Sequence, residues 1–509
     1  MQIGRRNIWT DVESVTVDNV IEILRDAEAD FLANAADCER LLAIDAGIMP
    51  AFREKKIRSD IDIWTVDPIA HEIVEFKEGF HWSNPINYVQ RGVSDVDPDA
   101  IALLNECFAA ENLGRKQKRL GHFVEICGIG FTFIDIKNDW VDGDSYFQYE
   151  TLDPRNAFVV KSSRYADHRV MLGVTFRTDK MGNRYYTAFS RDRRFEITSS
   201  KIINGEEVKT SWGVRQKNGQ RNPLGLVPII EWERADDRMG VFEREIPEMN
   251  RLNLLLSDIA NDVDSETQMI WWANDVEFPV KMDKDGNPTN EKQTPQSNEW
   301  VQTFTPKDGK SPSIQPLTTK YDYAGLINNY ISARGLILQR CYTPQRNDNS
   351  GGSTGVAMED ASGWSAAEQV ASSEQLLQEA SKLEEVKVAI QAIKKSRFVD
   401  ESSPLMELRY IDVKPNVTRQ KTYEMSVKSN AFCSLVSHGI NGLHALRCIN
   451  LFDDVTQVWE DSKDLIEEYQ KKTFGENEEP MNSGDLPDYQ IGNSPLIDGM
   501  SKEDPNATE

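Results

Sequence analysis

Leu224-Gly225-Leu226-Val227-Pro228-Ile229-Ile230-Glu231-Trp232 is a short apolar run that reads as a strand, and the fold is decided by the segment C-terminal to it. A polar break, Ala235-Asp236-Asp237-Arg238-Met239-Gly240, separates it from a long helical pattern that opens near Pro247. Proline suits a first helical turn, where its missing N–H has no intrahelical partner to lose. Leu252, Leu255, Leu256, Ile259 and Val263 recur at helical spacing and share one face. Asn253, Asp258, Asn261, Asp262 and Glu266 fall on the other. From Glu248 to Ala273 such a helix spans roughly 39 Å at about 1.5 Å per residue. That length with so narrow an apolar stripe is unusual in a solitary domain. It suits a ring of subunits whose long helices line a shaft.

Downstream, residues 276–318 change character. Pro279, Pro288, Pro295, Pro306, Pro312 and Pro316 interrupt short strands such as Val276–Met282 and Trp300–Phe304. A second helix is expected from about Tyr321 to Tyr342, carrying Leu326, Ile327, Tyr330, Ile331, Leu336, Ile337 and Leu338. A Gly/Ser/Asn loop, Thr343 to Thr354, precedes a very long helical stretch from about Gly355 to Ser396. Leu376, Leu383 and Ile390, with Val386 and Ile393, form a weak heptad seam there, open to core packing or to contact between subunits. Residues 405–417 read as a strand, 418–474 as a helical tail domain, and the acidic stretch beyond Gly475 as disordered.

Upstream, helices are expected within 13–45, from Pro98, and from Arg115 to Cys127, while Ile73–Tyr88 reads as alternating and then turning. Between Gly128 and Trp232 the period is two, with turns at Asp142-Gly143, Asp153–Asn156 and Met181-Gly182-Asn183, so an antiparallel β region is expected beside helices. The fold class is therefore α+β.

A chain of 509 residues implies about two to four units. Apolar residues make up 39%, enough for sizeable cores, and the mean hydropathy is -0.54. No run of about 18 apolar residues suggests a membrane span, and Met1 to Asp11 lacks the apolar centre of a signal peptide. The six cysteines show no Cys-x-x-Cys and the six histidines no His-x-x-x-His, so reduced thiols and no metal are expected. Net charge is the strongest bulk feature: 83 acids against 58 bases, or -25. A protein that grips nucleic acid neutralises phosphates with Lys and Arg. This chain either never meets nucleic acid or lets it pass without holding it.

Catalytic motifs fail on inspection. Gly309-Lys310-Ser311 ends like a phosphate loop, but Phe304 stands where the first glycine is needed. Asp283-Lys284-Asp285-Gly286 starts like a calcium loop, but its glycine is early and Thr294 occupies the twelfth position. Gly351-Gly352-Ser353-Thr354-Gly355 has the letters of a nucleophile elbow without the strand that must feed it. Asp258 and Asp262 share a helix face, which in so acidic a chain reads as solvated surface. No catalytic residue and no cofactor are expected.

The strand Gly225, Val227, Pro228, Ile229, Ile230, Glu231, then Glu245, Ile246, Met249, Asn250, Leu252, Asn253, Ser257, Asp258, Asn261 and Asp262, resembles a segment of the portal proteins of long-tailed bacteriophages, the siphophage-type portal family. Gly128-Ile-Gly-Phe-Thr-Phe-Ile-Asp with Leu152-Asp153-Pro154 is similar to a family strand and turn, with Cys127 where Tyr is common. Ser350 to Met358 resembles the segment after the family's tunnel loop, and Ile411 to Thr418 a strand ending in Asn-x-Pro, with its Pro early. The resemblance spans about residues 40–470.

The resemblance implies a portal fold: a wing over 1–240, a first stem helix over 241–273, a clip over 274–320 and a second stem helix over 321–342. A tunnel loop over 343–354, a wing helix and returning strand over 355–417, a crown over 418–474 and an acidic tail over 475–509 complete it. It implies a homo-oligomeric ring, a dodecamer, at the capsid vertex of the virion, made in the host bacterial cytoplasm. Double-stranded DNA would pass through it, driven by the terminase large subunit. A head–tail adaptor and the major capsid and scaffolding proteins would be partners, and no membrane. Arg346, Asn347, Asn349 and Ser350 are its candidate channel residues in the tunnel loop, where a surface linker is the alternative. Asn253, Asp258, Asn261, Asp262, Arg334 and Arg340 are its candidate stem residues. A tail, baseplate or connector protein, or a nucleic-acid enzyme, are the alternatives to a portal.

Overall fold

Gly128 turns the chain from helix to sheet. Its φ of +75° suits glycine, and an added Cβ would meet the backbone of Arg238 at 2.5 Å. The computed structural model describes residues 4–50, 63–91, 98–164, 167–204, 207–215, 219–267, 271–274, 280–282, 285, 287–292, 313–316, 322–345, 363–417, 425–449, 458–459 and 462–465. Within them the chain divides into two compact units, Met1–Gln420 and Lys421–Glu509.

In the first unit, helices α1 (Val20–Asp45), α2 (Ile69–His81), α3 (Pro98–Ala110) and α4 (Leu113–Cys127) lie before Gly128, and most of the strands after it. The expected α+β class holds. Strands β3 (Ile129–Ile136), β4 (Phe147–Leu152) and β11 (Ile229–Glu233) form a three-stranded antiparallel sheet in the order β11-β3-β4. The Asp142-Gly143 turn closes the β3–β4 hairpin, with Gly143 at φ +89°. A seven-stranded sheet comprises β1 (Trp9–Thr10), β5 (Ala157–Ser162), β6 (Val170–Thr178), β7 (Arg184–Phe189), β8 (Arg193–Asn204), β9 (Glu207–Val214) and β10 (Gln220–Arg221). All neighbours in it are antiparallel except β1 and β5. Helix α1 covers this sheet, its Phe31 ring stacked on Phe158 at 4.4 Å and edge-on to Phe176 at 5.1 Å.

One expected element is corrected. Ile73–His81 is helix, not alternating chain: Ile69, Ala70, Ile73, Val74, Lys77 and Phe80 are buried at helical spacing. The aliphatic stem of Lys77 fills a core position that a binary reading counts as polar. Another is trimmed: within 405–417 only β16 (Val413–Asn416) is extended, paired with β2 (Asn87–Gln90).

Helix α5 (Ile246–Thr267) stops before the expected Ala273. Trp271 to Asn274 is instead a strand, β12, which pairs with β15 (Ser313–Pro316), while β13 (Val280–Met282) pairs with β14 (Pro288–Lys292). The expected strand Trp300–Phe304 lies outside the described residues. Helix α6 (Tyr323–Arg340) comes next in the chain, N-capped by the Asp322 carboxylate, which accepts from the Gly325 N–H at 3.0 Å.

Helix α7 (Trp364–Lys395) is the longest element among the described residues, and its buried stripe changes chemistry along its length. Ala367, Ala371, Glu374, Gln378, Lys382 and Glu385 come first, then Val386, Val388, Ala389, Ile390, Ala392 and Ile393. The heptad seam is not continuous: Val386, Ile390 and Ile393 are core, while Leu376 is 71% exposed. At the polar-to-apolar junction the fully buried Lys382 ammonium lies 5.6–5.8 Å from the ring centres of Tyr88, Phe108, Tyr149 and Trp232. It donates to Glu385 at 2.7 Å, whose other oxygen accepts from Thr132 (2.6 Å), Tyr149 (3.1 Å) and Trp232 (2.9 Å). Burial lowers the Lys382 pKa, and Glu385 opposes that shift. In the second unit, helices α8 (Met425–Ser437) and α9 (Gly442–Ile449) pack together.

Candidate functional site

The candidate site is the helix pair α5 and α6, held by the side chains that face inward. Asn253, Ser257 and Asn261 stand four residues apart on α5 and are all buried. Opposite them runs the chain 63–67, which has no helix or strand of its own. Asn261 accepts from the Ile63 N–H at 2.8 Å and donates to the Ile63 carbonyl at 3.0 Å. Ser257 accepts from the Thr65 N–H at 3.0 Å, and Asn253 from the Asp67 N–H at 2.8 Å. Four helical residues rise about 6 Å, close to two residues of extended chain, so every rung meets an alternate residue. The α5 side chains supply what a neighbouring strand would and satisfy the strap's backbone.

Asp67 then carries the strap to α6. Its carboxylate accepts from the Tyr330 hydroxyl at 2.6 Å and the Arg334 Nε at 3.1 Å. Burial and Asp67 push the Tyr330 hydroxyl up to about 12. Arg334 also donates to Glu72 of α2. Arg340 pairs with Glu245 at 3.2 Å, just ahead of α5. On the outward side, Val263 of α5 and Ile327, Ile331 and Leu336 of α6 are 49%, 48%, 58% and 51% exposed.

This corrects the expected faces of α5. Leu255, Leu256 and Ile259 are only half-buried, as are Asp258 and Asp262, whereas Asn253 and Asn261 are core. The amides face inward because the strap's backbone has to be satisfied there. Arg334 and Arg340 are held in ion pairs within the chain. Arg346, Asn347, Asn349 and Ser350 lie outside the described residues, as do the Gly309 and Gly351 motifs. Ser257 and Asp67 were not singled out as site residues. Only the Asn-x-x-x-Ser-x-x-x-Asn spacing signals the ladder, and nothing in the sequence marks its partner about 190 residues earlier.

Two further buried charge clusters lie in the same unit. Glu231 of β11 binds Arg238 (2.7 Å) and Lys161 (2.7 Å). Burial opposes its charge, but those two cations hold the carboxyl down at about 2. Arg5 reaches the same region, its guanidinium 2.5 Å from Glu243 and its carbonyl accepting from Arg238. In the second cluster Glu125 of α4 accepts from His81 (3.2 Å) and Trp82 (3.0 Å). Burial again opposes, and His81, Arg234 and Lys77 bring its pKa to about 2. Glu374 of α7, bound by Arg234 at 2.5 Å, is raised instead, by burial and by Glu125. Among the described residues no group of three or more His, Cys, Asp or Glu could hold a metal ion. No described helix is long and apolar enough to cross a membrane.

The family model for the phage portal protein, SPP1 Gp6-like, matches residues 66–403. That is more than half of the chain, and the protein belongs to this family of phage portal proteins. No curated protein sequence matches. Two solved assemblies are similar at low identity. The neck of an empty GTA particle computed with C6 symmetry shares 9% identity over 76% of this chain and 90% of that one, with a TM-score of 0.39. The neck of a native GTA particle computed with C12 symmetry shares 10% over 76% and 90%, with a TM-score of 0.37. Likenesses this distant carry no weight for the assembly.

Proposed function

We propose that the chain forms a closed ring, a dodecamer, whose axial channel passes the phage genome inward during packaging and outward at ejection. The observation that carries this reading is the apolar surface left on the stem pair, Val263, Ile327, Ile331 and Leu336. Ile327 and Ile331 are one helical turn apart and so form a stripe, which a neighbouring copy would cover. Ring symmetry supplies that neighbour for every subunit.

In this reading residues 1–240 are the wing, α5 and α6 the stem, and 274–320 a clip for the terminase large subunit and head–tail adaptor. Residues 343–354 are the tunnel loop, 355–417 the wing helix and its return, 418–474 the crown, and 475–509 an acidic tail. The acidity of the chain keeps the wall repulsive to DNA, with Arg346 as a transient phosphate contact. The protein acts as a conduit in the virion, with the motor chemistry supplied by its partner, and it is made in the bacterial cytoplasm. Native mass measurement and negative-stain images of the wild type should show rings. The Ile327→Asp/Ile331→Asp double variant should be folded but monomeric. Wild-type monomers at micromolar concentration, with capsid and scaffolding proteins present, would end this reading.

A further inference from the structure

We propose that the β3–β4 hairpin tip of one copy docks into a groove beside α7 of a second copy, joining wing to wing around the ring. The inference rests on the ring reading and names a contact within it.

The tip is a preformed knob. Val141 at its apex is 70% exposed, and Asp139, Asp142 and Asp144 flank it. The Asp144 N–H donates to the Val141 carbonyl at 2.9 Å, which fixes the turn. Beneath it Trp140 is stacked between Tyr146 (5.7 Å) and Phe398 (5.9 Å), and its indole N–H donates to the Asp144 carbonyl at 3.0 Å. Lys137 offsets Asp144 at 3.3 Å, so Asp139 and Asp142 carry the outward charge. An exposed valine on a turn this well braced has no role in its own subunit's core.

The groove has the opposite character. It measures about 720 Å³ and runs between the outer side of α7 and strands β5, β6 and β11. Leu226, Val227 and Leu377 give it an apolar floor, and Ala380 an open edge. Its acids are answered locally: Glu384 by Lys387 at 3.1 Å, and Glu231 and Glu233 by Lys161 and Arg238. That leaves Arg191, exposed on the rim; Arg169 also lines it, shared with Asp167 at 3.2 Å and donating to the Glu13 carbonyl at 3.3 Å. An apolar floor under a basic rim fits an apolar apex between carboxylates.

Knob and groove are separate places on the fold. The tip lies past the end of β3 beside Phe398, after α7 has ended, whereas the groove borders β11 and the middle of α7. Roughly 12 Å of helix lies between Lys387 in the groove and Lys395 at the helix end. A contact between two different patches is head-to-tail, the kind that closes into a ring when the rotation per copy permits.

Paired cysteines in the full-length protein test this. Val141→Cys with Ala380→Cys, under mild oxidation, should give a ladder of covalent multimers on a denaturing gel. Each single variant should give none, which also controls for the exposed native Cys433 and Cys448. Arg169→Asp/Arg191→Asp should weaken self-association by at least about tenfold, and adding Asp139→Arg/Asp142→Arg should restore it. Rings by native mass measurement without the ladder would overturn the docking and leave the ring standing. A bond formed only within single chains would also overturn it. Monomers throughout would remove both readings.

Discussion

Replacing Asn253 by Leu tests whether the amide ladder on α5 holds the strap. The two side chains have similar size, so the change opens little cavity and removes mainly the acceptor. The Asp67 N–H, bound at 2.8 Å in a residue only 6% exposed, then loses its partner. A buried orphaned donor costs about 1–3 kcal/mol. For a unit of this size that is a small melting shift, about 1–3 °C, since the unfolding entropy grows with every residue. Local opening is the sharper readout. Amide hydrogen exchange at Asp67 should accelerate about 5- to 150-fold, with Thr65 changing in the same direction and the strands of the three-stranded sheet unchanged. Arg251→Ala, on the exposed side of the same helix, should change neither. Unaltered exchange at Asp67 in a folded Asn253→Leu protein would refute the reasoning, because the strap would then be held by something other than the ladder.

The buried charges and close packing set further outcomes. Lys382→Met should destabilise the first unit by about 3–5 kcal/mol in chemical denaturation, because Glu385 is left charged and buried; Lys382→Met/Glu385→Gln should recover most of that loss. Glu231 sits at about 2 in the fold against an ordinary 4.5, so its contribution is full above 4.5 and disappears as pH falls toward 2. Glu231→Gln should therefore lower neutral-pH stability and flatten the acid limb by about 3 kcal/mol, and an unchanged acid limb would count against the cluster. Glu374 is raised and works with the opposite sign, gaining on protonation, so Glu374→Gln should steepen the acid limb relative to wild type. Gly240→Ala should fail to give folded protein, since its Cβ would overlap the Ile126 carbonyl, while Gly79→Ala, with open space around it, should fold normally.

The parts of this fold that were legible in sequence are those specified locally. Asp142-Gly143 and Met181-Gly182-Asn183 marked their hairpins, and Pro98 opened α3. The helix–strands–helix order around 246–340 was legible because proline density and helical spacing change there together. What stayed hidden depends on distant partners. Asn253 and Asn261 looked like a wet face because amides are ordinarily exposed, and only the strap turns them inward. Lys77 and Lys382 broke the binary pattern because carboxylates or rings elsewhere in the chain receive them. Two-residue β1 pairs in parallel with β5 across about 150 residues, and a pairing that short leaves no periodic trace.

Arg5 meets Glu243 across 238 positions of sequence, just before β1 pairs with β5. Arg5 therefore settles only after a long downstream stretch has been made. At about 5–20 residues per second the N-terminal arm waits roughly 12–50 s on the ribosome before its partner exists. During that interval Arg5, buried in the finished fold, is unshielded and open to proteases and to other nascent chains. Translation speed between Arg5 and Glu243 thus becomes a determinant of yield, and stalled chains ending before Glu231 should be clipped at Arg5 while those carrying residue 243 clear of the ribosome are spared there.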